Sequence, residues 1–138
     1  MKTHTTNYKN TFIEVAEDCP VTKGEIPPVK DNKKSSANIQ FELISENPYI
    51  FTSDDIIFHV FANKNKISEE EIKEAREYFF SKGQACFRAS PLTKRYGWGI
   101  HHNEEGKIAL FGCETNEYRK FSNDKNIKSV KAMRSSKK

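Results

Sequence analysis

The chain has 138 residues, enough for one ordinary domain, with 36% hydrophobic and 30% charged residues and a formal net charge of +4. This composition supports a core beneath a strongly polar surface and excludes a membrane-spanning helix, because no apolar run approaches the ~20 residues a bilayer demands. The charge is uneven: residues 41–80 carry nine acidic and four basic side chains, and residues 119–138 carry eight basic and one acidic, an asymmetry that marks an interaction tail or an internal contact.

The start, Met1-Lys2-Thr3-His4-Thr5-Thr6, is polar and carries no secretory signal, so a cytoplasmic protein is expected. Cys19, Cys86 and Cys113 are widely spaced and form no Cys-x-x-Cys, which excludes a zinc ribbon and a thioredoxin-type motif and fits reduced thiols. A single domain over 1–138 is expected, with loose ends at about 1–8 and 135–138.

In chain order, Thr11–Ala16 has strand composition, with Ile13 and Val15 on one face and Phe12 and Glu14 on the other. Residues 17–34 hold Cys19-Pro20, Gly24 and Pro27-Pro28 and read as a long irregular connection. Residues 36–46 fit either a strand period or a helix capped by Ser35 or Ser36; the helix formers between the apolar positions favour the helix. Thr52-Ser-Asp-Asp55 resembles a capping signal for a helix over about 53–64. A second helix is expected from Ser68, with Glu71 completing a capping box, Ile72, Ala75 and Phe79 on one face, and Gly83 at the stop. Gln84–Ala89 reads as a further strand. Thr115 can cap a short helix with Tyr118 and Phe121 facing inward, and 127–134 is either a last strand or a basic helix.

Residues 90–113 carry the strongest local signals, including the only tryptophan, two of the four histidines and four of the six glycines. Ser90-Pro91 fits a cap and first position of a one-turn helix that brings Lys94 and Arg95 near backbone N–H groups able to hold an anion. Asn103-Glu104-Glu105-Gly106 fits a hairpin loop with Gly106 at positive φ. That register pairs 102 with 108, 100 with 110 and 98 with 112. Alternation then turns Tyr96, Trp98, Ile100, Ile108 and Leu110 toward the core. Gly97, Gly99, His101, Ala109, Phe111 and Cys113 lie on the other face. The two glycines leave a bare strip beside His101, which admits a ligand or a packed helix.

Three chemistries compete for these residues. Lys94, Arg95, Gly97, Gly99 and His101 together outline a non-catalytic binding site for an anionic small molecule or an acidic partner. Cys86 or Cys113 with His101 could form a thiol-dependent enzyme, provided a base and an electropositive setting lie within reach. Lys94, Arg95, Tyr96, Trp98 and the basic tail make a weaker case for nucleic acid, since the register spends Trp98 on the core. No metal is expected: adjacent strand histidines 101 and 102 point to opposite faces, and no His-Glu-x-x-His spacing occurs. No cofactor is expected either, because Gly97-Trp98-Gly99 lacks the third glycine and following helix of a dinucleotide fingerprint, and no phosphate-binding loop is present.

The stretch Ser90-Pro-Leu-Thr-Lys-Arg-Tyr-Gly-Trp-Gly-Ile-His-His102 resembles a family of small bacterial soluble proteins of unknown function. Asn10–Pro20, Pro48–Asp55 and Lys131–Arg134 are similar to the same family. The resemblance implies one compact cytoplasmic domain and supplies no activity, ligand or catalytic residue. The fold expected from the residues is α+β: a small, mostly antiparallel sheet with the 96–113 hairpin at its centre and three or four helices packed on one side.

Overall fold

A four-stranded mixed sheet organises the chain in the computed structural model, which describes residues 3–135. The strands are β1 (Thr11–Glu14), β2 (Trp98–His102), β3 (Ile108–Gly112) and β4 (Lys128–Lys131), in spatial order β3-β2-β1-β4. β2 and β3 form the expected hairpin, with Trp98 opposite Gly112, Ile100 opposite Leu110 and His102 opposite Ile108. Asn103 closes it: its side-chain oxygen accepts from the N–H groups of Glu105 and Lys107, and Gly106 takes φ +82. β1 pairs antiparallel with β2 and parallel with β4, so the 127–134 segment resolves as a strand and the hairpin occupies one side of the sheet.

The helices are α1 (Ser36–Glu46), α2 (Ser53–Lys64), α3 (Ile72–Phe79), α4 (Pro91–Lys94) and α5 (Asn116–Ser122). Ser35, Thr52, Ser90 and Thr115 each accept a first-turn N–H, as their positions in the sequence require. Two local expectations change. Ser68 and Glu71 do meet, but the Ser68 hydroxyl donates to the Glu71 carboxylate and caps nothing, so α3 begins only at Ile72. Gln84–Ala89 is not a strand. It passes beside the outer side of β4, where the Met133 N–H donates to the Arg88 carbonyl and Arg88 Nε donates to the Lys131 carbonyl, without joining the ladder. The segment instead makes a 3₁₀ turn at Phe87–Ala89, with Phe87 sealed in the core.

Helices cover both faces, where the sequence predicted one. On one face Ile13, Ile100 and Ile108 pack with Ala37, Ile44, Ile56, Phe87 and Leu92 from α1, α2, α4 and the 3₁₀ turn. α3 lies outside this layer and buries none of its residues; Phe79 leans on Phe58 and Phe61, and Arg76 bonds to Asp55 at 2.9 Å. On the other face α5 sets Tyr118 and Phe121 against Phe12. The start of the chain is tied down as well. The Thr6 N–H and hydroxyl both donate to buried Asp54, and the His4 N–H donates to Phe80. Residues 1–2 and 136–138 of the expected loose ends lie outside the described residues, while the Ser135 N–H donates to Asp18.

His102 sits in this core with no solvent exposure; neither ring nitrogen makes a well-formed hydrogen bond among the described residues, though backbone groups of Ile100 and Thr11 lie near enough to oppose part of the burial effect. Its ring meets the Tyr8 ring edge-on at 5.3 Å. Burial holds its pKa down at about 4, below the ordinary 6.5, so the folded state keeps it neutral.

Two predictions follow from these packing constraints. A Cβ at Gly99 would lie 2.5 Å from the Phe12 ring and 2.6 Å from the Tyr118 ring. Gly99→Ala should therefore cost about 1–3 kcal/mol in urea denaturation, and the cost should shrink in a Tyr118→Ala background. The unfolded chain protonates His102 near pH 6.5 whereas the fold resists until about 4, so stability falls as pH drops through that window. The loss should amount to roughly 3 kcal/mol, and His101, also shifted down by burial, acts in the same direction. His102→Leu removes two unpartnered polar atoms, so it should flatten the pH slope and exceed the wild type in stability at pH 5; an unchanged slope would count against the assignment.

Candidate functional site

Gly97 and Gly99 are both enclosed, and by different parts of the chain. Gly97, at φ +81, receives the backbone of Lys23 where its Cβ would stand, 2.4 Å from the carbonyl oxygen. Gly99 receives Tyr118 of α5. The glycine strip is therefore filled by protein, and the helix-packing alternative describes it. The 17–34 connection is held against the same region: the Trp98 indole N–H donates to the Glu25 carbonyl, the Glu25 N–H to Tyr96, and the Gly24 N–H to the Glu114 carboxylate. Trp98 lies on the core face against Phe41, so its ring is not an open stacking platform.

His101 lies on the α5 face, stacked on Phe121 at 4.0 Å. Its Nδ1 bonds to the Tyr49 hydroxyl at 2.9 Å. Its ladder partner is the small Ala109, and Tyr49 reaches the imidazole from the adjoining edge of β3 with a backbone φ of +59. Burial lowers the His101 pKa and raises that of Tyr49, with Asp124 pulling His101 the other way. The imidazole is half-buried between two aromatic rings.

The cysteines are separated from it chemically. Cys86 meets the Tyr8 hydroxyl at 3.4 Å, and no cysteine–histidine hydrogen bond exists among the described residues. Burial pushes the Cys113 thiol up, with Cys19 and Glu114 adding to the effect, whereas a nucleophilic thiolate needs a positive environment. Among the described residues no group of three His, Cys, Asp or Glu side chains gathers as metal ligands.

Lys94 and Arg95 belong to the opposite side of the sheet from His101. α4 buries Leu92 and Thr93 beneath them and stands against α1 and β2, so its two terminal cations project toward the start of α1. There they border a hollow of about 440 Å³ together with Ser35, Ser36, Lys64 and Tyr96. Three of its lining side chains are cations and none is an acid. The ion pairs among the described residues are Lys34–Glu42 and Arg76–Asp55, so Lys64, Lys94 and Arg95 form none there; Lys64 also borders a neighbouring hollow lined by Glu42 and Glu46. The first turn of α1, closed by the reciprocal Ser35–Asn38 capping box, carries no acidic residue beside the hollow.

The structure thus keeps Lys94 and Arg95 together, places His101, Gly97 and Gly99 elsewhere, and adds Lys64 and the α1 start. Lys64 ends α2, thirty residues before Lys94, and nothing local in the sequence links the two. Among the described residues no helix is long and apolar enough to cross a membrane. No curated protein and no solved structure matches the chain. Residues 3–138 match the model of a family of unknown function, DUF6157, and the chain belongs to that family.

Proposed function

We propose that the protein is a non-catalytic binding module for a small anion, held in the hollow between α1, α4 and the end of α2. The observation that carries this reading is the set of three cations around one concavity without a carboxylate partner. Exposed lysines and arginines are ordinary, but they are usually dispersed or interleaved with acids. Here Lys64 from the end of α2 joins the adjacent Lys94 and Arg95 from the end of α4 on one rim, next to the start of α1. A phosphate oxygen meeting them would form charge-assisted hydrogen bonds, each worth about 1.5–3 kcal/mol.

Titration calorimetry with methyl phosphate tests the reading. Lys94→Glu combined with Arg95→Glu reverses two rim charges, so affinity should fall at least ~100-fold, about 3 kcal/mol. Tm should stay within a few degrees of the wild type, because Arg95 is exposed and Lys94 only half-buried. Binding should also weaken with added salt. Methyl phosphate binding that survives the double reversal would refute the site.

A further inference from the structure

A second hollow adjoins the cationic one. Ser36, Ala89 and Pro91 border both, and the second, of about 270 Å³, lies between α1, α2 and residues 84–91. The lining changes character across this shared rim. Ile57, Val60, Phe61 and Phe87 replace the lysines and arginine. Ser36, Gln40, Gln84 and Ser90 add polar groups to this lining. Gln40 Oε1 accepts from the Ser90 hydroxyl at 2.7 Å, and its amide nitrogen has no partner among the described residues. Cys86 lines the pocket with its thiol on the Tyr8 hydroxyl.

A cationic hollow beside a more apolar one matches a ligand with two unlike ends. We propose that the ligand is a phosphate monoester with a short apolar body, its phosphate between Lys64, Lys94 and Arg95 and its body against Ile57, Val60 and Phe61 on the way to Cys86. This deepens the anion-binding reading and rests on it. Three cations favour a dianionic phosphate head over a singly charged carboxylate. The recess is small beside ligand pockets of ~300–1,000 Å³, so it takes a few carbons and not a lipid chain.

A series of methyl, butyl and hexyl phosphate, titrated into the full chain at fixed ionic strength, tests this. Each methylene buried should tighten binding by up to about fourfold, so butyl phosphate should bind at least ~10-fold tighter than methyl phosphate. Butyl phosphate should also slow alkylation of Cys86 by iodoacetamide, with Cys19 and Cys113 as internal references in the same peptide map. Ala85 is exposed and borders the adjoining hollow but not the cationic one, so Ala85→Phe should fold and reduce the butyl advantage to within about twofold. Equal affinity for methyl and butyl phosphate with unchanged Cys86 labelling would overturn the inference and leave the anion site standing. Failure of every phosphate to bind would remove both. Butyl phosphate binding that persists in Lys94→Glu/Arg95→Glu, or binding to anionic phospholipid vesicles without binding to the soluble series, would overturn it as well.

Discussion

Phe12 and Ile13 are consecutive residues, both with no solvent exposure, and the pleat of β1 sends them to opposite faces of the sheet. A strand buried on both faces needs cover on both. Ile13 joins the main core under α1, α2 and α4, while Phe12 requires the second layer that Tyr118 and Phe121 of α5 supply. Each of those two ring systems buries on the order of 150–250 Å². The Tyr118 hydroxyl also accepts the Val15 N–H, which fixes α5 against the end of β1. Removing α5 would expose a central strand, so this small helix is structural despite its seven residues.

The same two-sided requirement divides the chemistry of the chain. On the Phe12 face, His101, Gly99 and Phe111 become packing material for α5. The cations of α4 are on the Ile13 face, where the start of α1, the end of α2 and α4 border a hollow. His101 and Lys94 are seven residues apart in sequence, yet the sheet separates them. A site combining them would have needed a bare sheet face, which the burial of Phe12 forbids.

Much of this was legible from local rules. The Asn103–Gly106 loop fixed the hairpin register, and Ser35, Thr52, Ser90 and Thr115 marked helix starts, because loops and caps depend on a few adjacent residues. Alternation also turned His102 inward with Ile100, a consequence visible in the register itself. The identity of what fills the glycine strip was not legible. Tyr118 is nineteen residues beyond Gly99, and no local pattern says which face α5 will take. The same holds for Lys64, whose meeting with Lys94 depends on how α2 packs beside α1. The failed strand at 84–89 has a comparable cause: composition permitted a strand, but Phe87 turns into the core there instead of the segment running along the free edge of β4.

The central claim is that the binding surface lies on the Ile13 side of the sheet and that His101 has been absorbed into the opposite layer. Mapping amide chemical shifts during a methyl phosphate titration tests it residue by residue. The account predicts shifts concentrated at residues 35–37, 64 and 94–96, with the amides and ring protons of Tyr49, His101 and Phe121 unmoved. Shifts centred on His101 and Phe121, with Lys64 and Lys94 silent, would contradict it.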